Sequence, residues 1–323
     1  MTRTVALTGA TGFIGWHVAR RFQQSGWRVR ALVRPQSGRP VPEGVERISA
    51  SLREAEVISA CKDAALIVHL AGAVGHHSTD EFFRTNVDTA AEVARAARAL
   101  GVRLVHTSSL GATGPHPPGN PPTEDSPLRP INAYGESKRR SEDVIRAVDG
   151  LEWAIVRPTL VYGPRDRLFY PLFRLSRRGL FPVPNSKAVY NVVHVDDVAR
   201  GIEMVATSAL SSDVFFIGHP EQVTVVELLA HLAAVFDRRF RPLTIPGVGL
   251  RALAEVGSLL SSLGIPAPID RDRLKEIRAD GFVCRTDKAR DRLGFVATTE
   301  LRQGLASTAE WYARNGWLPP HQR

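Results

Sequence analysis

The chain has 323 residues, of which 43% are hydrophobic and 23% charged, and its formal net charge is +9. This composition excludes collagen-like, disulfide-scaffold and wholly disordered proteins. No apolar run reaches the about 18 residues of a membrane-spanning helix, and no signal-peptide core precedes the first glycines, so we expect a cytoplasmic protein without a membrane span. The two cysteines, Cys61 and Cys284, have no metal-ligand spacing, and no metal site is predicted. The charge favours anionic partners, but the arginines are dispersed along the chain, and no nucleic acid is expected.

The first two hundred residues alternate between short apolar runs and helical patterns. Strands are predicted over 4–8, 28–33, 65–70, 103–107 and 153–157, and helices over 13–25, 81–100 and 133–148. Strands that alternate with helices in this way indicate βαβ units and a parallel sheet. Because the strand runs are apolar throughout, both faces of the sheet are expected to be covered. The predicted fold class is therefore α/β, a Rossmann-type, doubly wound parallel sheet.

The pattern changes in the last third of the chain, where apolar positions recur at helical spacing. The proline- and glycine-rich residues 114–130 predict a long loop before that point. We expect the Rossmann domain to comprise residues 1–165 and 188–219. A smaller, mostly helical domain is expected from residues 166–187 and 220–323.

A glycine-rich turn follows the first predicted strand directly. Gly9, Gly12 and Gly15 have the spacing Gly-x-x-Gly-x-x-Gly and open the first predicted helix. In a dinucleotide site, such glycines permit the tight turn, the approach of the pyrophosphate and close packing of helix on strand, while helix N–H groups face the phosphate charge. The context of strand, turn and helix predicts a bound nicotinamide dinucleotide here. Its expected contacts include Thr11, Phe13 and Ile14.

The end of the second predicted strand distinguishes the two nicotinamide cofactors. A carboxylate at this position binds the ribose 2′-hydroxyl of NAD(H), whereas an arginine accommodates the 2′-phosphate of NADP(H). Here the strand is followed by Arg34 and Ser37, and no acidic residue occurs before Glu43. The sequence therefore favours NADP(H) over NAD(H).

Three residues form a candidate catalytic set. Tyr134 and Lys138 are four residues apart at the start of a predicted helix, so they share one face. The Coulomb attraction of the lysine charge is expected to lower the tyrosine pKa from about 10 toward about 7–8, a range suited to a general acid or base, while desolvation opposes this shift. Ser109 follows the strand 103–107, at the sheet edge where ligands bind, and is positioned to hold a substrate oxygen.

With these residues, the chain resembles the extended short-chain dehydrogenases/reductases, the NAD-dependent epimerase/dehydratase family. The resemblance covers nearly the whole length. Its motifs are TGATGFIG at 8–15, HLAG at 69–72, TNVDTA at 85–90, HTSS at 106–109, YGESK at 134–138, RPTLVYGP at 157–164 and NVVHVDDVA at 191–199.

The resemblance implies a Rossmann domain with a C-terminal substrate domain, and hydride transfer between the nicotinamide and a carbinol or carbonyl carbon. It implies that Tyr134 is the acid/base, that Lys138 lowers its pKa and binds the ribose, and that Ser109 orients the substrate oxygen. Asn86 has a mainly structural role in this pattern. Further cofactor contacts are expected from the segments after the strands, namely Leu70, Ala71, Gly72, Thr107, Pro158, Thr159 and Val161.

Departures from the family pattern narrow the expected reaction. Ser51 and Leu52 stand where members often have an aspartate that contacts the adenine, so that contact is expected to be weakened or replaced. Leu110 and Gly111 replace the acidic pair of sugar dehydratases. Tyr190 and Asn191 replace the arginine that sugar epimerases use for the diphosphate. With Arg34, these features resemble the dihydroflavonol-reductase-like and 3β-hydroxysteroid-dehydrogenase-like members, which implies a lipophilic or aromatic carbonyl or alcohol substrate.

Several alternatives stay open at this stage. A nucleotide-sugar epimerase with tightly bound NAD is one, and a non-enzymatic redox sensor or nucleic-acid binder on the same fold is another. Family members often form homodimers through the helices near 81–100 and 133–148, and a homodimer is expected. Substrate contact is one interpretation for His76 and His77, and likewise for Arg165 and Arg167. Contact with a membrane or with the substrate is one interpretation for the apolar residues 247–263.

Overall fold

The computed structural model describes residues 2–75, 77–243, 247–262 and 271–319. Its strands, in chain order, are β1 (Thr4–Thr8), β2 (Arg28–Val33), β3 (Glu46–Ser49), β4 (Leu66–His69), β5 (Arg103–Thr107), β6 (Trp153–Pro158), β7 (Leu160–Tyr162), β8 (Leu180–Pro182), β9 (Val189–His194), β10 (Asp213–Ile217), β11 (Gln222–Thr224), β12 (Arg241–Leu243) and β13 (Gly281–Phe282). Among these residues, no helix is long and apolar enough to cross a membrane.

The helices flank and extend this set of strands. The α-helices are α1 (Phe13–Gln24), α2 (Glu54–Cys61), α3 (Thr79–Phe83), α4 (Thr89–Leu100), α5 (Ala133–Arg146), α6 (Tyr170–Ser176), α7 (Val195–Thr207), α8 (Val225–Ala234), α9 (Gly247–Ser262), α10 (Arg271–Arg278), α11 (Asp287–Leu293) and α12 (Leu301–Arg314). A π-helical turn over Arg84–Asp88 and a 3₁₀ turn over Leu110–Ala112 complete the list.

The main sheet has seven parallel strands in the order β10-β6-β5-β4-β1-β2-β3. The chain builds outward from β1 to β3 and then crosses to β4 on the other side of β1. At such a reversal of strand order, the loops after the two central strands diverge and leave a crevice at the carboxyl ends. The predicted Rossmann-type α/β fold is thus confirmed.

Both faces of this sheet are covered by helices, as the apolar strand runs predicted. One face packs α1 and α7, with Phe22, Val198 and Ile202 fully buried in a single cluster. The other packs α2, α4 and α5, where alanines and the one valine of α4, Val93, lie in one cluster with Ile67 and Leu104. Near-complete burial of the strands explains why they alternate so little in polarity.

The predicted helix over 81–100 is interrupted in the structure. A π-helical turn over Arg84–Asp88 separates α3 from α4. The turn carries Asn86, whose amide Nδ2 donates to Ala73 O at 3.2 Å and whose Oδ1 accepts from Ala73 N at 2.7 Å. π-Turns inserted in α-helices often occur at functional sites, and here the turn contacts the loop after β4.

A second cluster lies beyond the main sheet. A smaller sheet pairs β11, β9 and β13, with β7 on the other side of β9, and a two-stranded piece pairs β8 with β12. Buried aromatic rings of α6, β8 and α12, including Phe173, Phe181 and Tyr312, form its core. From the C-terminal part of the chain, Ala289 and Phe295 pack instead in the core of the main sheet. The division into two domains at the stated boundaries stays a prediction.

Candidate active site

The glycine turn after β1 lies at the crevice between β1 and β4. A Cβ atom on Gly9 would lie 2.6 Å from Ala71 N, and the residue has a φ of +76°. A Cβ on Gly15 would lie 2.1 Å from Gly9 O. No side chain is tolerated at either position, because the turn packs on the loop after β4 and α1 packs on the turn.

The N-terminus of α1 can accept an anionic group. Gly12 is its N-cap and donates its N–H to Gly9 O at 2.9 Å. No side chain caps this helix, and its first turn carries no acidic residue. The backbone N–H groups around Thr11, Phe13 and Ile14 therefore keep their positive end available, as a pyrophosphate requires. On this observation the turn fits the dinucleotide that the sequence implies.

The loop after β2 carries the predicted phosphate residues. Arg34 is exposed, and Ser37 N donates to Arg34 O at 2.9 Å in a tight turn. Sequence reasoning missed Arg47 of β3, whose guanidinium donates to the carbonyls of Ser37 and Arg39 and so holds the loop. The parallel register that pairs Arg47 with Ala31 of β2 brings it there. Because this strand pairing is a property of the fold, no motif in the sequence indicated that Arg47 holds the loop.

The predicted adenine-side residues take an unusual backbone path. Leu52 is buried with a φ of +67°. Ser51 donates from both its N–H and its hydroxyl to the Glu56 carboxylate, each at 2.6 Å. These bonds lower the pKa of Glu56, because they favour the charged carboxylate. Glu56 is a second residue that sequence reasoning missed; its place in the first turn of α2 was the available clue.

A network of hydrogen bonds fixes the loop after β4. The Thr8 hydroxyl accepts from Leu70 N at 3.2 Å and Ala71 N at 3.1 Å, and it lies 2.7 Å from Nδ1 of His69. Burial lowers the pKa of His69 to about 3, so its ring is neutral at physiological pH. The loop thereby holds Gly72 so that a Cβ there would be 3.6 Å from Lys138 Nζ. The predicted cofactor residues 70–72 thus meet the predicted catalytic lysine.

Tyr134 and Ser109 lie side by side at the same edge. Tyr134 is in the first turn of α5, whose N-cap Asn132 accepts from Gly135 N at 2.8 Å. A Cβ atom on Gly111 would lie 3.3 Å from Ser109 Oγ and 3.4 Å from the Tyr134 ring, and Ser109 Oγ accepts from Gly111 N at 3.0 Å. The ring of Phe82 is 5.8 Å from the Tyr134 ring. The two groups expected to contact a substrate oxygen are therefore adjacent.

The pKa of Tyr134 departs from the sequence-based expectation. It is raised, because burial of the phenol outweighs the favourable interaction with the Ser109 hydroxyl, and the Glu276 carboxylate adds to the rise. The opposing loss of solvation therefore outweighs the lowering that the lysine charge was expected to cause. Its size depends on how completely the fold surrounds the phenol, which the spacing of Tyr134 and Lys138 does not specify.

Lys138 is buried, and its ammonium donates to Thr107 O at 2.7 Å. Burial lowers the pKa of Lys138 to about 8, while the nearby Glu142 carboxylate opposes the fall. The predicted cofactor residue Thr107 therefore positions the predicted catalytic lysine through its carbonyl. Its own buried hydroxyl has no partner among the described residues.

A buried ion pair below the site escaped the sequence analysis. Arg157 donates to both carboxylate oxygens of Glu142, at 2.8 and 2.7 Å, and both side chains are inaccessible to solvent. Ser108 donates to the same carboxylate at 2.6 Å. These bonds join Ser108, which precedes Ser109, to Glu142, which lies one turn after Lys138 on α5. The spacing of four residues between Lys138 and Glu142 was visible in the sequence, but the partner Arg157 lies on β6.

Two more groups of predicted residues are positioned by backbone and side-chain bonds. The Asn86 amide donates to Ser137 Oγ at 2.8 Å and so joins the loop after β4 to α5, in keeping with its expected structural role. Pro158 ends β6 beside the end of β5, and Thr159 N donates to Ile217 O at 3.0 Å. Val161 belongs to β7 and pairs with Val193. Pro158 and Thr159 thus lie at this edge of the main sheet, whereas Val161 lies in the smaller sheet.

Arg165, Arg167 and His77, for which substrate contact was one interpretation, contact other side chains of the protein. Arg165 stacks on Trp16, with its guanidinium carbon 3.6 Å from the ring centre, and Arg167 lies over Trp317 at 5.5 Å. His77 pairs with Glu81 at 2.9 Å. His76 lies outside the described residues.

The family model described as "NAD dependent epimerase/dehydratase family" matches residues 5–218 of this chain. Among curated relatives, "Ceramide reductase" of Caulobacter vibrioides is 31% identical, covering 98% of this chain and 96% of that protein. "Sterol demethylase protein B" of Methylococcus capsulatus is 30% identical, covering 98% and 100%. "Putative dihydroflavonol 4-reductase" of Synechocystis is 26% identical, covering 97% and 95%.

Solved structures agree with the fold. MoeE5 in complex with UDP-glucuronic acid and NAD matches with a TM-score of 0.78 and 27% identity, covering 97% of this chain and 99% of that one. The crystal structure of gox2253 matches with a TM-score of 0.82 and 24% identity, covering 98% and 100%, and shows the common fold. The matches to the family model and to full-length relatives confirm the resemblance inferred from the motifs: this chain belongs to the NAD-dependent epimerase/dehydratase family, the extended short-chain dehydrogenases/reductases.

Proposed function

We propose that the chain is an NADP(H)-dependent oxidoreductase that interconverts a lipophilic ketone or aldehyde and the corresponding alcohol. The observation that carries the proposal is the convergence of Ser109, Tyr134 and Lys138 at the edge that also holds the glycine turn. Residues 1–165 and 188–219 would bind the dinucleotide, and residues 166–187 and 220–323 would bind the substrate. The names of the relatives, which include reductases, support a redox reaction.

Each catalytic group has a distinct task in this proposal. Bound NADPH would supply the hydride that the carbonyl carbon receives. Ser109 would hold the carbonyl oxygen through its hydroxyl, and Tyr134 would donate its phenolic proton to that oxygen. Lys138, held by Thr107 O at 2.7 Å, would stabilise the phenolate left behind and orient the ribose. The glycine turn, with Leu70, Ala71 and Gly72, would position the dinucleotide, and Pro158, Thr159 and Val161 would line the nicotinamide.

The raised pKa of Tyr134 favours the reduction direction near neutral pH. A phenol whose pKa lies above its ordinary value stays protonated there, which is the state that can donate a proton to the carbonyl oxygen. The reverse oxidation needs the phenolate and would require a higher pH. The buried ammonium of Lys138 is the nearest group that can favour the phenolate as the proton leaves.

An apolar substrate is supported by the side chains around the crevice. Phe82 lies beside the Tyr134 ring, and Gly111 places no side chain where a Cβ would be 3.4 Å from that ring. Val74, two residues after Gly72, is 52% exposed, and Leu168 is 57% exposed next to Gly75. Exposed apolar side chains at a crevice favour a ligand that covers them. The names of the ceramide reductase and the sterol demethylase protein describe activities on lipids and support the same class.

Arg34 supports the choice of NADP(H). It is exposed at the end of β2, and the loop that carries it is held by the Arg47 guanidinium. No carboxylate stands at this strand end to bind a 2′-hydroxyl, while an arginine suits a 2′-phosphate. Ser37 would supply a second hydrogen bond to the phosphate, and Ser51 and Leu52 would border the adenine.

A second candidate function is a nucleotide-sugar epimerase that retains NAD. The fold similarity to MoeE5, solved with UDP-glucuronic acid and NAD, favours it. Against it, Asn191 is buried and fully used, since it donates to His219 O at 2.8 Å and accepts from Cys284 N at 2.9 Å. It therefore offers nothing to a sugar diphosphate at the position where an arginine would be expected.

Purified protein distinguishes the two functions. We expect it to lose dinucleotide on gel filtration and to oxidise NADPH when given long-chain or polycyclic ketones. NAD that stays bound through gel filtration, together with interconversion of UDP-sugars and no net NADPH oxidation, would establish the epimerase instead.

The proposal includes a homodimer in the cytoplasm. Helices α4 and α5 contact each other on one face of the sheet and are the segments through which family members pair. The two cysteines are buried free thiols, which suits a reducing compartment. Light scattering at micromolar concentration should give twice the 35.4 kDa chain mass; a mass equal to one chain contradicts the dimer.

A further inference from the structure

Helix α9 carries apolar residues on both its buried side and its exposed side. Leu250 and Ala254 are buried against the rest of the protein. On the opposite side, Val248 is 79% exposed and Val256 is 57% exposed, with Ala252 exposed between them. Residues four apart lie on one helix face. The solvent side of α9 is therefore an apolar stripe, which Leu253, 54% exposed, widens.

Five arginines are gathered just before α9 in the structure. β12 pairs with β8, Arg241 N donates to Gly179 O at 2.8 Å, and Arg238 Nε donates to Arg177 O at 3.2 Å. These contacts bring two separate chain segments together and form what we call the arginine cluster: Arg177, Arg178, Arg238, Arg239 and Arg241. In the part of the chain that the structure describes, none of the five forms an ion pair, and Arg177 has a bond to Pro319 O at 3.3 Å.

The arginine cluster and the apolar stripe are close neighbours. Arg241 belongs to the strand that ends at Leu243, which is 48% exposed, and α9 begins at Gly247. Four Cα–Cα steps of 3.8 Å limit the distance between these two ends to about 15 Å. Among the described residues, guanidinium groups without a carboxylate partner thus lie near an exposed apolar helix face.

Helix α9 is also one helix away from the candidate active site. Its Glu255 pairs with Arg271 of α10 at 3.0 Å. From α10, Glu276 accepts from Asn132 Nδ2 at 2.5 Å, and Asn132 is the N-cap of the helix that carries Tyr134. The Glu276 carboxylate also acts on the phenol electrostatically. Side-chain contacts therefore connect α9, through α10, to the start of the helix that carries Tyr134.

We propose that α9 and the arginine cluster form a docking surface for membranes that contain anionic phospholipids. A helix with an apolar face can lie in the interface with that face among the acyl chains, and neighbouring arginines bind the negative head groups. The charge of the cluster complements an anionic bilayer. Because α10 joins α9 to the turn that carries Tyr134, docking would hold the candidate active site close to the bilayer, from which a lipid substrate would enter. This last step rests on the proposed function, whereas the docking itself does not.

Sedimentation with lipid vesicles tests the docking. We expect the wild-type chain to bind vesicles of phosphatidylcholine mixed with phosphatidylglycerol, and to bind pure phosphatidylcholine weakly. The double variant Arg239→Glu/Arg241→Glu should lose about tenfold or more in affinity for the mixed vesicles, since each cation near an anionic surface contributes to binding. The double variant Val248→Asp/Val256→Asp should lose binding to a similar extent because it places carboxylates in the apolar interface.

Matched controls lie outside α9 and the arginine cluster. Arg302→Glu and Val296→Asp change exposed residues of other segments and should leave vesicle binding unchanged. Circular dichroism reports on the folding of each variant, and NADPH turnover of a water-soluble ketone without vesicles tests the proposed function. Docking is overturned if the wild-type chain does not sediment with mixed vesicles, or if the two docking variants bind as the controls do. Vesicle binding without any turnover would retain the docking surface and contradict the proposed reaction.

Discussion

The floor of the candidate site and its cover are built by different kinds of contact. The floor consists of the sheet edge with Ser109, Tyr134 and Lys138, where polar groups are buried and hydrogen-bonded. The cover consists of α9, which carries exposed apolar side chains, and of α10, which a surface ion pair between Arg271 and Glu255 joins to it. Buried networks leave few alternative geometries, whereas surface pairs contribute little stability. Changes to the floor should therefore affect chemistry and folding, and changes to the cover should affect access.

Replacement of the catalytic phenol is the strongest test of the floor. Tyr134→Phe removes the proton donor and should reduce kcat by about 10²–10⁴-fold, the range for loss of a general acid. Affinity for NADPH, measured by fluorescence titration, should stay the same. The matched variant Tyr170→Phe removes a hydroxyl that only donates to Trp317 O and should retain kcat. Equal activity of the two variants would remove Tyr134 from the mechanism.

The buried ion pair should contribute to stability more than any surface pair. Glu142→Gln leaves the Arg157 guanidinium buried without its counter-charge, and we expect the free energy of unfolding to fall by about 3–5 kcal/mol. Glu136→Gln, which removes exposed pairs with Arg139 and Arg140, should change it by about 1 kcal/mol or less. Urea unfolding followed by circular dichroism measures both values. Similar losses in the two variants would contradict the distinction between floor and surface.

Cofactor selectivity should depend on the loop after β2. In the proposed NADP(H) site, Arg34→Glu would remove one charge-assisted hydrogen bond to the 2′-phosphate and add repulsion, so KM for NADPH should rise about 10–100-fold. KM for NADH should change much less, because NADH lacks that phosphate. Arg302→Glu provides the same charge change on α12. Equal rises of KM for both cofactors in the Arg34 variant would refute the phosphate contact.

The pH dependence is the subtlest expected effect. Burial lowers the pKa of Lys138 to about 8, so the ammonium that supports Tyr134 is lost as pH rises through that value. The kcat for carbonyl reduction should be nearly constant below about pH 8 and fall above it by about tenfold per pH unit. Stability should move the other way, because the charged lysine is disfavoured in the fold and this penalty disappears between about pH 8 and the ordinary lysine pKa of about 10.5.

A variant separates the lysine from other titrating groups. Lys138→Arg keeps a positive charge at all accessible pH values, so its residual activity should lack the fall above pH 8. A pH–rate profile of the arginine variant with the same inflection as the wild type would assign that inflection to another group.

The fold was predictable because its determinants are local. The apolar runs of β1, β4 and β5 and the three glycines after β1 are each contained in a few consecutive residues. The same holds for Tyr134 and Lys138, whose spacing alone puts them on one face of α5. The Glu142–Arg157 pair and the Ser51–Glu56 bonds were not predicted, because a charged or polar residue in the sequence does not specify which distant element will bury it.

The order of strands and helices along the chain, the glycine turn and the candidate catalytic groups could all be read from the amino-acid sequence. Each of these follows from spacing along the chain, which fixes the backbone geometry over a turn or a strand. The protonation behaviour of Tyr134 and Lys138 and the composition of the docking surface depend instead on how distant segments pack. Solvation loss depends on every atom that surrounds a group, and the arginine cluster forms only when β12 pairs with β8, two segments about sixty residues apart.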